Sequence, residues 1–307
     1  MSSGWPLAIA VKAAKLTIMT MLLLAAALLA PATSPKPLTP PDIVAAAPAS
    51  AWRAIPPEDL LVIDLKAGQR IVIQLAPNFA PVHVANIRAL ARARWWDGAA
   101  IYRVQDNYVV QWGHNDDRKL PAGIVAKPPA EYARTLTGLA FKPFPYRDSY
   151  ASRVAYASGW PVAIDQGTAS LTHCYGYVGV GRDLDPDTGT GGELYAVIGH
   201  APRQLDRNIA IVGRVVSGIE AMSSLPRGTE ALGFYKDRSS DIPIASTRLA
   251  ADLPAAERPS FEMLNTASPS FAAYLHKRAN RQDDFYRRPA GGVDICNAPV
   301  PVRPIKR

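Results

Sequence analysis

Leu61–Leu65 and Arg70–Leu75 alternate apolar and polar positions on either side of Lys66-Ala67-Gly68-Gln69, the pattern of two half-buried strands joined by a tight turn. Pro81 then opens a stretch in which Val84, Ile87, Leu90 and Ala91 recur at intervals of three and four. That spacing predicts an amphipathic helix over residues 81–93, whose apolar stripe needs a sheet to cover. Further short strands are predicted at Ala100–Val104, Tyr108–Trp112, Gly176–Val180, Leu194–Ile198, Ile209–Val215 and Ile242–Leu249, with one more short helix at Gly218–Leu225. Mostly antiparallel strands with a helix toward each end predict a mainly β fold, a closed barrel capped by two α-helices.

The chain ends follow a different pattern. Lys12 and Lys15 precede Leu16–Ala30, a run without a charge, and Ala30-Pro31-Ala32 supplies small residues for cleavage. Residues 1–32 therefore read as a secretory signal peptide, placing the protein in the periplasm or outside the cell. The run is shorter than the roughly 18–20 apolar residues of a spanning helix; an uncleaved N-terminal membrane anchor is the alternative. Residues 33–57 are rich in Pro and Ala and read as a linker. Residues 58–251 would form the main domain and 252–307 a C-terminal extension, in which Ser260 to Arg278 could be helical and the last stretch is Pro-rich and basic.

Composition adds limits. Hydrophobic residues at 48% with 20% charged describe a globular chain and argue against a wholly disordered or polytopic membrane protein. The formal charge of +8 falls to +6 once residues 1–32, with two lysines and no acid, are removed. That excess is scattered, so neither a nucleic-acid partner nor, after signal removal, a membrane partner is expected. Cys174 and Cys296 are too few for a disulfide scaffold and lack metal-ligand spacing. An oxidising compartment would let them pair; two unrelated thiols is the other reading.

Hydrolytic and metal chemistry find little support. His83, His114, His173, His200 and His276 show no ligand spacing. His114 beside Asp116 and Asp117 reads as a polar turn. No GxSxG elbow is present, and Gly189-Thr190-Gly191-Gly192 lacks the lysine and the strand-to-helix setting of a phosphate loop.

A different constellation is denser. Trp96-Asp97-Gly98, Ile101-Tyr102-Arg103-Val104 and Tyr108-Val109-Val110-Gln111-Trp112-Gly113 place an arginine on one strand and a glutamine on the next, framed by aromatics. This resembles the cyclophilins. Residues 80–90, APVHVANIRAL, resemble the family's "APxxVANFxxL"; residues 96–113, WDGAAIYRVQDNYVVQWG, resemble "YDGxxFHRVxxxFxxQGG". Gly191-Gly192-Glu193-Leu194-Tyr195 resembles "GSQFF", and Leu205-Asp206 with residues 211–218 resembles "LDGxxxVFGxVxxG". Order and spacing agree over residues 60–118 and 174–250.

The resemblance implies an eight-stranded barrel and a peptidyl-prolyl cis–trans isomerase acting on proline-containing polypeptides. Rotation about an amide consumes no redox equivalent, metal or nucleotide, so no cofactor is expected. Arg103 matches the catalytic arginine and Gln111 the glutamine that binds the substrate carbonyl; Tyr108, Tyr195 and Leu205 match the walls of the proline pocket.

Several positions depart from the family. Tyr102 stands where the family has histidine. Glu193 replaces the glutamine of "GSQFF", which would put a carboxylate near Arg103. Arg182 falls near the asparagine that receives the substrate backbone, Ile209 at the pocket histidine and Gln204 near the drug-contacting tryptophan. Weak cyclosporin binding follows. An insertion at about residues 133–175, ending at Cys174, is expected to be a long loop or flap beside the groove. An exported isomerase that assists folding in the cell envelope is the leading reading. A catalytically weak or inactive proline-binding module is the alternative, and a structural envelope protein docking through its tail is a third.

Overall fold

The computed structural model describes Met1 and residues 37–305 other than 115 and 117. Apart from Met1, the predicted signal peptide lies outside the described residues. Among the described residues sixteen strands follow in chain order. They are β1 (Trp52–Ala54), β2 (Leu60–Leu65), β3 (Arg70–Leu75), β4 (Ala100–Val104), β5 (Val109–Gly113), β6 (Arg134–Thr135), β7 (Phe141–Pro143) and β8 (Arg153–Ala157). The second half holds β9 (Trp160–Asp165), β10 (Thr168–Leu171), β11 (Tyr177–Val180), β12 (Leu194–Val197), β13 (Ile211–Ser217), β14 (Ile242–Leu249), β15 (Phe261–Leu264) and β16 (Val302–Pro304). Among the described residues four α-helices join them: α1 (Pro40–Ala45), α2 (Pro81–Arg92), α3 (Ile219–Ser223) and α4 (Pro269–Ala279).

Eight strands close the expected antiparallel barrel in the order β11-β12-β5-β4-β14-β2-β3-β13. Its interior is apolar: Ile63, Ile73, Val104, Val110, Trp112, Val178, Leu194, Ala196 and Val212 pack in one cluster, joined by the α2 stripe of Val84, Ile87, Leu90 and Ala91. Pro81 opens α2, and no side chain of the preceding residue caps it. The cap comes from a distant carboxylate, for Glu131 accepts from the backbone N–H groups of Val82 and His83 at 2.9 Å each, where the helix dipole favours negative charge. Asn86 of the same helix donates to the carbonyls of Val125 and Thr190 at 2.9 Å, fixing the loop that leads into β12.

The insertion is not an unstructured flap. Its strands form a second antiparallel sheet in the order β6-β10-β9-β8-β7. Two two-residue turns build it. Ser158 and Gly159 join β8 to β9 with φ of 50° and 83°, and Gln166 and Gly167 join β9 to β10 with φ of 43° and 79°, the left-handed pairs that tight hairpins require. The flanking runs Val154–Ala157 and Trp160–Ile164 are buried throughout, so they lack the period-two alternation that marks a half-exposed strand.

The expected linker and tail are also ordered. Thr39 and Asp42 form a reciprocal capping box at the start of α1, with Thr39 N–H donating to Asp42 Oδ2 at 2.8 Å and Pro40 at the first helical position. β1 pairs with β15, Trp52 standing opposite Leu264, and β15 pairs with β16. The segment from Ser260 to Arg278 is thus a strand followed by a helix, the Ser268 hydroxyl accepting from Phe271 N–H at 3.1 Å to start α4. Trp52 from the expected linker, Val154 and Tyr156 from the insertion, and Leu264, Phe271, Leu275 and Ile295 from the tail share one buried cluster. Three segments read as peripheral together make a second hydrophobic core. Cys174 and Cys296 are joined in a disulfide, with Cα atoms 5.0 Å apart.

Candidate active site

Arg103 on β4 lies opposite Gln111 on β5, and Gln111 lies opposite Tyr195 on β12. Residues directly opposite on antiparallel neighbours share a face, so the three form one row across three strands. Their neighbours in sequence, Val104, Val110 and Ala196, point into the barrel, which puts the row on its outer wall. β4 is irregular here. Ile101 pairs with Trp112 and Arg103 with Gln111, so Tyr102 is an extra residue with no opposite partner, a β-bulge. The bulge lets two consecutive side chains, Tyr102 and Arg103, reach Gln111.

β14 meets β4 only at Ala100 and Ile101. Beyond them a loop takes its place, with Tyr235 N–H donating to the Tyr102 carbonyl at 3.1 Å and Gly228 N–H to the Val104 carbonyl at 2.9 Å. That loop delivers Phe234 and the Leu232 carbonyl to the site.

A continuous set of hydrogen bonds follows. Arg103 Nη1 donates to Gln111 Oε1 at 2.9 Å, its Nε to the Leu232 carbonyl at 2.7 Å, and its Nη2 to Gln105 Oε1. Gln111 Nε2 donates to the Tyr102 hydroxyl at 2.7 Å, and that hydroxyl donates to Glu193 Oε2. Glu193 Oε1 accepts from His114 N–H at 2.9 Å. The expected proximity of the Glu193 carboxylate to the guanidinium is therefore indirect, through Tyr102 and Gln111, and all three acceptors of Arg103 are neutral. The cation keeps its charge, although partial burial pulls it below its ordinary pKa. The guanidinium carbon lies 5.3 Å from the Phe234 ring centre and 5.9 Å from that of Tyr108, within cation–π range. Burial, then the Glu193 charge, pushes the Tyr102 hydroxyl up, so it stays a donor.

The row borders a cavity of about 360 Å³ lined by Arg103, Tyr108, Gln111, Arg182, Tyr195, Leu205, Ile209, Leu232 and Phe234 among others. Tyr195, Val109, Tyr108 and Ile209 form its apolar side, packed in one cluster with Val197. A second hollow of about 530 Å³ adjoins it, lined by Tyr102, Gln111, Asp116, Arg182, Asp183, Asp187, Glu193 and Phe234. Arg103, Gln111, Tyr108, Tyr195, Leu205, Glu193, Tyr102, Arg182 and Ile209 thus each line one hollow or both, whereas Gln204, the remaining groove position named from sequence, lines neither. Arg182 lines both and is turned onto backbone, donating to the carbonyls of Asp183 on its own loop at 2.6 Å and of Asn208, between β12 and β13, at 3.0 Å. Phe234, Leu232 and Gln105 were not foreseen. The one sequence trace of their role is that Ile101 and Val104 stand three apart in a strand, which signals the bulge. Among the described residues no group of three or more His, Cys, Asp or Glu is placed to hold a metal ion.

In chemical terms the site offers a fixed cation and an amide beside an apolar hollow of a size to take a small ring. The family model described as "Cyclophilin type peptidyl-prolyl cis-trans isomerase/CLD" matches residues 60–249. The chain is 28% identical over 178 residues to a probable peptidyl-prolyl cis-trans isomerase of Brucella suis biovar 1 (strain 1330), covering 58% of this chain and 76% of that relative. The Brucella abortus (strain 2308) protein of the same description is 27% identical over the same shares. The fold is similar to the crystal structure of cyclophilin AquaCyp293 from Hirschia baltica, with a TM-score of 0.64 and 22% identity over 87% of this chain and 98% of that one. With the family model spanning the whole barrel, from β2 to the end of β14, this chain belongs to the cyclophilin-type peptidyl-prolyl cis–trans isomerases.

Proposed function

We propose that Arg103 catalyses rotation of X-Pro bonds in polypeptide segments held along the outer wall of the barrel. Resonance between the nitrogen lone pair and the carbonyl sets a rotation barrier of about 18–20 kcal/mol. Twisting the amide localises that lone pair on nitrogen. A cation aimed there stabilises the twisted state more than the planar one, and this difference is what accelerates the reaction. The proline ring would sit against Tyr108, Tyr195, Leu205 and Ile209. Gln111 would give its second Nε2 hydrogen to the substrate carbonyl while its Oε1 keeps Arg103 in place. The observation that carries this reading is the Arg103–Gln111 pair, 2.9 Å apart at the mouth of the apolar cavity. No cofactor enters the step.

We further propose that the enzyme works in the cell envelope on unfolded or partly folded clients. Support comes from Lys12 and Lys15 ahead of Leu16–Ala30 and from the Cys174–Cys296 bond, which suits an oxidising compartment.

The test is isomerisation of a short X-Pro peptide by the purified protein and by Arg103→Ala. A loss of about tenfold or more, roughly 1.4 kcal/mol of transition-state stabilisation, supports the assignment. A folded parent that binds the peptide without turning it over favours the proline-binding module instead. For location, a reporter enzyme that matures only outside the cytoplasm is fused after residue 57; inactive fusions sink the envelope reading.

A further inference from the structure

Tyr195 stands where the "GSQFF" motif ends in phenylalanine, so this chain carries a hydroxyl on the wall of its pocket. That hydroxyl is buried; Tyr195 is 6% exposed. It meets His173 Nε2 at 2.9 Å. His173 Nδ1 lies 2.9 Å from Asp206 Oδ1, which also accepts from His173 N–H at 2.8 Å. Because a carboxylate only accepts, Nδ1 carries a proton, and in the neutral ring Nε2 is then the acceptor for the tyrosine hydroxyl. Asp206 Oδ2 takes Arg203 Nε. Arg203 grips Asp148 with both Nη groups, at 2.8 and 3.1 Å. Neither Asp148 nor Arg203 exposes more than 2% of its side chain.

The route of this chain through the fold is what gives it meaning. Asp148 belongs to the insertion, between β7 and β8. His173 stands where the insertion returns to the barrel, next to the disulfide-bonded Cys174. Arg203 and Asp206 flank Leu205, the other pocket wall, in one short 3-10 turn. Burying an arginine with two carboxylates adds little stability over an apolar filling of the same space. It does fix positions, since a bidentate guanidinium and a doubly accepting carboxylate tolerate little displacement.

We propose that His173 is a positioning residue for substrate, and that the relay Asp148–Arg203–Asp206–His173 holds the Tyr195 and Leu205 walls at the separation that admits a proline ring. The insertion thereby sets substrate affinity in a groove that it does not line. The inference rests on the reading of Tyr195 and Leu205 as pocket walls.

Steady-state kinetics on an X-Pro peptide, with KM and kcat resolved, test it alongside thermal unfolding of each variant. His173→Asn keeps an amide facing Asp206 and loses the Nε2 contact; His173→Gln reaches the tyrosine hydroxyl. The expected result is a KM about tenfold higher in His173→Asn with kcat within about twofold, and recovery of most of that loss in His173→Gln. Tyr195→Phe is expected to raise KM to the same degree, and the double variant with His173→Asn no further. A role confined to packing would lower the unfolding temperature of both histidine variants and leave KM alone. Parental KM in folded His173→Asn overturns the proposal. Should that variant not fold, parental KM in Tyr195→Phe, which keeps the ring and its packing, overturns it. A folded parent that neither binds nor turns over X-Pro peptides overturns the reading of the groove instead.

Discussion

Gly179 on β11 faces Tyr195 on β12 so closely that a Cβ added to the glycine would stand 2.3 Å from both Cζ and the hydroxyl oxygen of the ring. The tyrosine can lie flat over the strand only because that carbon is missing. Its hydroxyl is already committed to His173, so the ring has nowhere to retreat. Gly179→Ala is expected to cost about 1–3 kcal/mol, the range for overpacking a buried site, and to weaken peptide binding. Thermal unfolding and peptide titration read the two effects; unchanged affinity in a folded variant would show that the ring's position does not matter to the pocket.

Tyr102 bridges the Glu193 carboxylate and the Gln111 amide. Tyr102→Phe removes one hydroxyl and leaves two half-buried polar groups without that partner, at a cost of about 1–3 kcal/mol. Because Gln111 in turn braces Arg103, kcat/KM should fall by roughly tenfold. Adding Arg103→Ala should then cost less than it does in the parent, since the two changes act through one chain.

Five buried tyrosines, Tyr102, Tyr156, Tyr177, Tyr195 and Tyr274, have hydroxyls pushed up by burial. Raised native values mean that the folded chain keeps protons the unfolded chain releases. Their stabilising effect is complete below the ordinary phenol pKa of about 10 and is lost as pH rises above it, by up to about 1.4 kcal/mol per pH unit for each group. Alkaline titration should show the phenolate absorbance of these five, of the twelve tyrosines in the chain, arriving together with the loss of circular dichroism. Smooth titration of all tyrosines in a folded protein would contradict this.

The Cys174–Cys296 bond closes a loop over a sequence separation of 122 residues. On the chain-entropy view such a loop restrains the unfolded state by about 4–5 kcal/mol. Reduction should lower the denaturation midpoint. Truncation after residue 251 should do more, because it removes Leu264, Phe271 and Ile295 from the second core; the expected sign is dye binding to exposed apolar surface. A truncated chain as stable as the parent would restore the view of the tail as an appendage.

Cyclosporin is expected to inhibit weakly. Gln204 is exposed and Ile209 carries no ring hydrogen-bonding group, at the positions where the family's tryptophan and histidine would fall. Nanomolar inhibition in the peptide assay would refute this.

The barrel was legible because hairpins and an amphipathic helix are local patterns: β2, β3, α2 and β14 fall within a residue of the ranges read from periodicity. Arg103 and Gln111 were legible because they sit in a dense motif. The insertion sheet was not, for its central strands β8 and β9 are buried on both faces and show nearly unbroken apolar runs, its outer strands β6 and β7 are only two and three residues long, and the turns that define it, Ser158-Gly159 and Gln166-Gly167, are short. Trp52 and Leu264 illustrate the other limit. Each reads alone as an isolated apolar residue in a Pro-rich or mixed segment, and only their pairing across the whole domain makes them core. His173 was visible as a histidine without metal spacing, but nothing local connects it to Tyr195 or Asp206.

Strand β1 finds its partner at β15, and β2, beyond its hairpin mate, finds its other neighbour at β14. A polypeptide made N-terminus first must therefore hold the β2–β3 hairpin with one edge open until Leu249 has emerged, and Trp52 uncovered until Leu264 has followed. Closure waits on the last fifth of synthesis. A protein proposed to assist the folding of others is thus, during its own birth, a long-lived client with an unpaired edge.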